Sequence, residues 1–399
     1  MWVRRIFQER KQKGEFHLLV EEMRLFDREY YFKYFRLSVS QFEELLQLVA
    51  PKIAKCSEKR EPISPSERLS VTLRYLVTGN SHASLSSNFH IHPTTISRVI
   101  RETTAAIWDV LSPIYVKCPE SEVEWKNIAK DFNRKWNFPH CLGAIDGKHI
   151  VMQAPARSGS SFFNYKKTHS IVLLAVCDAQ YRFTLVDIGD SGRNSDGGVF
   201  SSSNLGYAIE HNLLHLPRNE KIPGSENKFP YVFVGDEAFR LSEQLMKPYP
   251  REVLSLKERI YNYRLSRARR VIENSFGIAA ARFRIWRRPI IGKVDLVVCT
   301  TKAVVALHNY LMHGKSFEAS RYCPPGFADT ENSYGFKKGA WRNEVEAFHS
   351  TAGLADIQQL GSNNYSKIAK RIRENFCDYF MSEAGQVPWQ LKHVTATHE

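Results

Sequence analysis

The reading of this chain turns on Cys141–Gln153, CLGAIDGKHIVMQ. Leu142, Ala144 and Ile145 form an apolar approach, and Ile150, Val151 and Met152 form an apolar exit. Between them one carboxylate, Asp146, stands against Gly147. Asp is disfavoured in strands and costly to bury unpaired, so packing alone explains it poorly. Two placements downstream are alike: Asp236 ends the apolar run YVFVGD (231–236), and Glu273 lies in the helical segment RRVIENSFG (269–277). Three carboxylates on two strands and a helix can converge on divalent metal. Taken singly, each has a plainer reading: an ion pair to Arg269 or Arg270 for Glu273, and turn or cap roles for Asp146 and Asp236.

The 399 residues allow two or three domains and a large core. A hydrophobic content of 43% and an aromatic content of 12% point to a folded chain. A net charge of +14 points to a polyanionic partner, nucleic acid above all, with solvated surface as the bland reading. Seven scattered cysteines, none spaced as CxxC, exclude a disulfide framework and a zinc site. The first residues, MWVRRIFQERKQKGEF, hold no secretory core, and the most apolar span, 294–312, is interrupted by Asp295, Lys302 and His308. A soluble protein with no membrane partner is expected.

In chain order, 1–37 reads as a basic and aromatic arm. A helical domain over 38–135 follows, opening with SVSQFEELLQLVAPKI, capped by Ser38 or Ser40 and limited by Pro51. Within it, 65–111 predicts a helix ending at Gly79, a short helix over 82–89, a turn at 90–92 and a third helix opening at Pro93. Ile96, Val99 or Ile100, Thr103 and Ile107 would face inward, leaving Thr94, Thr95, Ser97, Arg98 and Arg101 outward. That is the pattern of a DNA-reading helix-turn-helix, or of a plain helical bundle. A catalytic domain is expected over 136–315: the strand with Asp146, a basic and aromatic loop at 154–168 with Lys166 and Lys167, a hairpin over 170–190, and the strand ending at Asp236. An arginine-rich helix then carries Glu273, with Arg264, Arg267 and Arg270 as phosphate contacts and Leu265, Ala268, Ile272, Phe276 and Phe283 as its buried face. The tail, 316–399, is expected to begin as loop and to end in a helix near Tyr365–Met381.

GAIDGKHI, HSIVLLAVCD, GRNSDGGVF, FVGDEAF and RRVIENSFG together resemble the transposases of PIF/Harbinger elements and the nucleases domesticated from them. The likeness runs from about Ser38 to the end. It implies an α/β, RNase H-like catalytic domain, a mixed sheet flanked by helices, behind the helical unit. It also implies a DDE triad of Asp146, Asp236 and Glu273, with Asp196 as a further metal ligand. Two magnesium ions, replaceable by manganese, would serve hydrolysis at a phosphodiester. The implied activity is recognition of terminal inverted repeats, metal-dependent cutting and joining of 3′ ends to a short AT-rich target. A Myb-like partner protein, nuclear location and at least a homodimer come with it. A cutting nuclease without strand transfer, or a DNA- or chromatin-binding adaptor with an idle site, are the alternatives. The polar stretch at 215–230 is expected to be a surface insertion.

Overall fold

The structure is a computed structural model that describes residues 4–58, 61–192, 200, 203–250, 253–313, 320–332, 335–346, 353–356 and 365–395. Short helical turns fill Arg5–Phe35 and lead into helix α1, Val39–Ile53. Ser38 and Gln41 close a capping box at its start, and Pro51 lies inside its last turn rather than ending it. Helices α2 (Pro65–Thr78), α3 (His82–Phe89) and α4 (Pro93–Tyr115) follow where the sequence predicts them. Gly79 and His90 take left-handed backbone at the ends of α2 and α3, which turns the chain sharply. Ile96, Val99, Ile100, Thr103 and Ile107 are all buried along α4. Helix α5, Glu122–Trp136, bridges to the sheet.

The sheet is mixed. Strands β1 (Cys141–Met152), β2 (His169–Cys177) and β3 (Phe183–Ser191) form an antiparallel meander, closed by the Asp178–Arg182 turn. Strands β4 (Val232–Val234) and β5 (Leu245–Met246) run parallel to β1, giving the order β3-β2-β1-β4-β5. One partner was not legible beforehand: β6, Leu354–Asp356, returns from the tail and pairs antiparallel with Lys148–Ile150 of β1. The outer edge of β1 therefore forks. Its first part pairs with β4 as far as Ala144, its later part pairs with β6 from Lys148, and Ile145–Gly147 lie between the two.

Both faces of the sheet are covered. On one side α6 (Leu256–Arg282) and α7 (Val294–Met312) pack against Ala144, Ile150, Leu173 and Ala175; on the other, Leu142, Ile145, Leu174 and Phe233 meet Trp125, Leu205 and Ile209. Alternation along β1 puts Asp146 and Lys148 on the α6 side. Helix α7 is long and apolar enough to cross a membrane by composition, yet 72% of its apolar window is buried here as a core helix. Asn309 of α7 donates to the carbonyls of Tyr115 and Phe183, and Tyr310 donates to that of Gln41. One hydrophobic core thus runs from α1 to the sheet, so the change of element type near 135 is not a break in packing.

Residues 215–230 are not a bare loop. Glu220–Lys221 and Lys228–Phe229 form a small hairpin that buries Ile222 and Phe229. In the tail, Trp341 and Asp329 pack on Asn274 of α6, and helix Lys367–Met381 buries Phe376 and Phe380.

Candidate active site

Asp146 lies in the fork of β1, where neither β4 nor β6 is its neighbour. Asp236 comes two residues after the end of β4, and Asp356 ends β6. Three carboxylates therefore meet a gap in the sheet's hydrogen bonding, at a switch in strand direction where open α/β sheets hold their ligands. Asp146 and Asp236 are each only 8% exposed. The Asp146 carboxylate accepts from the Gly147 amide (2.9 Å), and that of Asp236 accepts from the Ala238 amide (3.0 Å).

Burial raises the Asp236 carboxyl above the ordinary aspartate value, and the charge of Asp146 raises it further. Arg269, the Ala238 amide and Lys148 oppose the shift without cancelling it. A carboxylate near another in a low-dielectric space is repelled by it, so the charge of Asp146 favours the neutral form of Asp236.

Lys148 was not singled out from sequence, yet it is central here. Its ammonium lies 3.0 Å from Asp146, pairs with Asp356 directly across the strand, and sits 5.7 Å from the Phe276 ring of α6. Burial works against its charge, but Asp146 and Asp356 outweigh that and hold its pKa above the ordinary lysine value. Lys148 first, with Lys166 and Arg269 assisting, keeps the Asp356 carboxyl low against burial. No local pattern marks Lys148; its partner arrives from more than 200 residues away. Asp356 gave a faint signal, an acidic residue closing the short apolar run GLAD.

Glu273 lies on α6 one turn after Arg269, which donates to it at 2.8 Å. The plain alternative, an ion pair within the helix, is therefore present. Arg269 also acts on Asp236, so it links Glu273 to the aspartate pair. Among the described residues, no three acidic, His or Cys side chains are grouped tightly enough to cage a metal. Asp196 lies outside the described residues. The donor set nevertheless suits a hard divalent cation: oxygen ligands, two of them nearly buried and mutually repelling.

The loop at 154–168 borders the site. Tyr165 donates to the Asp356 carbonyl (3.0 Å), while Lys166 and Lys167 are exposed. Its base is fixed by Asn164, which donates to Thr168 and Ser170, and by the Ser170–His149 contact at 2.9 Å.

The arginines of α6 require correction. Arg264, expected on phosphate, is 2% exposed; it donates to the carbonyls of Asn137 and Gly385 and to Gln390. Arg267 is equally buried and faces Asn137 and Glu331 (3.2 and 3.6 Å). Arg270 pairs with Glu331 and lies over the Phe336 ring. The tail supplies most of these acceptors and so takes up the three guanidiniums internally. On α4, Thr94 and Arg98 are exposed and Thr95 and Ser97 half-buried, while Arg101 reaches Asp295 of α7 at 3.7 Å.

Comparison with known proteins agrees with this geometry. Residues 145–309 match the DDE superfamily endonuclease family. A protein named ALP1-like from Arabidopsis thaliana is 28% identical over 63% of this chain and 62% of its own length. Antagonist of like heterochromatin protein 1, from the same plant, is 25% identical over 74% of this chain and 80% of its own. HARBI1 of Rattus norvegicus, whose name carries the word nuclease, is 24% identical over 60% of this chain and 64% of its own. The chain thus spans less than two thirds of the first and third of these relatives. No solved structure matches. Asp146, Asp236 and Glu273 all fall inside residues 145–309, the segment that matches the DDE superfamily endonuclease family, in a chain similar to ALP1-like and HARBI1.

Proposed function

We propose that this chain cleaves DNA phosphodiesters with the help of divalent metal, through Asp146, Asp236 and Glu273. The observation that carries this reading is the pairing of two buried, repelling aspartates in the fork of β1. A bound magnesium or manganese pair would supply the attacking water and charge stabilisation at phosphorus. The chain's own residues set the stage for that chemistry. The Gly147 and Ala238 amides orient Asp146 and Asp236, and Lys148 balances Asp146 against Asp356. Glu273 would hold the ion together with Asp146 and Asp236, and Asp196 would add a further ligand. Lys166 and Lys167, beside exposed Tyr165, would hold phosphates at the rim.

The order β3-β2-β1-β4-β5, antiparallel and then parallel, supports an RNase H-like sheet. Exposed Thr94 and Arg98 at the start of α4, just after the turn from α3, support its assignment as a DNA-reading helix. The fuller activity is that of a PIF/Harbinger-type transposase. It binds terminal inverted repeats as a dimer, cuts, joins 3′ ends to an AT-rich target, and reaches the nucleus with a Myb-like partner. Cutting alone, as a domesticated nuclease, is the coarser version that the relatives' names favour.

The test is incubation of labelled duplex bearing candidate element ends with magnesium or manganese, with the partner protein supplied. Wild type should give products that disappear with chelator and with Asp146→Asn. Ends able to join a target would support transposition, and cleavage without joining would support the nuclease. Tight binding with no products in either metal would sink the enzyme reading in favour of an adaptor.

A further inference from the structure

The arm at the N-terminus is not loose. The Ile6 carbonyl lies 2.8 Å from the His90 ring nitrogen, in the turn between α3 and α4. Phe7 meets the His92 ring edge-on at 5.4 Å. His92 is the N-cap of α4, and its ring nitrogen is 2.8 Å from the Thr94 hydroxyl. Further along, Arg10 pairs with Glu67, whose side chain is 1% exposed, and His17 approaches the same carboxylate at 3.9 Å. Gly14 lies so near the Phe89 carbonyl that a Cβ there would come within 3.0 Å of it. A buried ion pair, a ring contact and a close backbone approach thus fasten the arm over the start of α4.

From this platform Arg4, Arg5, Lys11 and Lys13 point outward. The Arg5 side chain is 89% exposed, Lys11 57% and Lys13 60%. Their partners, Glu9 and Glu61, form exposed pairs of little strength that a polyanion would displace easily. Beside them the start of α4 offers the positive end of its dipole, together with exposed Thr94 and Arg98. The arm thus exposes Arg4, Arg5, Lys11 and Lys13, and the start of α4 exposes Arg98.

We propose that Arg4–Lys13 is a second DNA contact, gripping the phosphate backbone next to the site read by α4. The proposal rests on the assignment of α4 as a reading helix, and its contribution is independent of base sequence. Arg10 anchors the arm, whereas Arg4, Arg5, Lys11 and Lys13 meet phosphate.

The experiment is a salt titration of duplex binding by the full chain, in calcium to prevent cleavage, on a terminal-repeat duplex and a scrambled one. The charge variant R4Q/R5Q/K11Q/K13Q should weaken both duplexes equally. It should also make the slope of log K against log salt shallower by roughly 0.9 for each phosphate the arm no longer neutralises. Phe7→Ala removes no charge but unseats the arm, and should produce part of the same weakening. Arg98→Ala should instead reduce the preference for the terminal repeat. Unchanged affinity and slope in the charge variant, with Arg98→Ala still effective, would overturn the arm contact and leave the reading helix standing. Weakening in the charge variant with none in Arg98→Ala would do the reverse. An inert Phe7→Ala would show that the arm acts as a free polycation, which overturns the docked contact.

Discussion

Two groups of buried carboxylates flank α6, and they are built on opposite principles. At the sheet, Asp236 is pushed up by burial and by Asp146, and the cations nearby leave that strain in place. On the tail side, burial also works to raise Glu331, but the Arg270 hydrogen bond and charge, the Tyr263 hydroxyl and Arg267 outweigh it and hold the carboxyl low. At the sheet an aspartate stays raised although cations lie beside it; on the tail side the carboxylate is held low by its partners. An acidic site awaiting a cation must be the first kind, and a structural ion-pair network is the second. The contrast separates function from scaffolding better than burial does, since both sets are shielded from solvent.

The largest expected effect breaks the first cluster. Asp146→Asn or Asp236→Asn should lower cleavage by about 10²–10³-fold, the scale seen when a preorganised charge-stabilising group is lost. Asp236→Asn, which removes the carboxylate that burial and Asp146 push up, should at the same time raise the melting temperature at pH 7 in the presence of chelator. A melting temperature that falls instead would mean the aspartates are structural, and that the two clusters are not opposites.

Next comes the tail cluster. Glu331→Gln leaves Arg267 and Arg270 without their counter-charge, and should cost about 3–5 kcal/mol in a denaturant titration. Because the folded-state pKa of Glu331 lies below its unfolded value, its contribution is complete above the ordinary glutamate range. It fades as pH falls through the folded pKa. The gap between wild type and Glu331→Gln should therefore narrow below about pH 4.5, the ordinary value. A gap that is flat with pH would show that the charge of Glu331 is not what holds the tail.

Arg264 extends the comparison to cations. Arg264→Met leaves the carbonyls of Asn137 and Gly385 without their donor, and should cost roughly 2–4 kcal/mol by the usual penalty for orphaned buried acceptors. DNA affinity of the folded fraction should not change. A variant of full stability that binds DNA weakly would restore Arg264 to the phosphate contacts from which its burial removes it.

These contrasts also explain what the sequence could convey. The α3–α4 unit, β1, the hairpin and α6 were legible because each is local: capping serines, a period of 3.6 or 2, and turn residues all act within a few positions. Asp146 and Asp236 stood out because charge inside an apolar run is locally anomalous. Lys148 did not, since a basic residue near an aspartate looks ordinary until β6 brings Asp356 across from it. The arginines of α6 misled for the same reason. An Arg-rich helix reads as a phosphate surface, and only the tail, folding back with Glu331, Gly385 and Gln390, reveals that three of them are internal.

The smallest effect expected on stability is also the sharpest test of that lesson. Arg98 on α4 is exposed, whereas Arg101 one turn on reaches Asp295 at 3.7 Å across an exposed gap. Arg98→Ala should leave the melting temperature unchanged and weaken binding to the specific duplex by roughly tenfold, the reduction typical of removing one base-edge hydrogen-bonding group. Arg101→Ala should weaken binding less, because its guanidinium is shared with α7. If both variants bind as wild type, exposure is no better guide to DNA contact than arginine count, and the reading surface must be sought away from the start of α4.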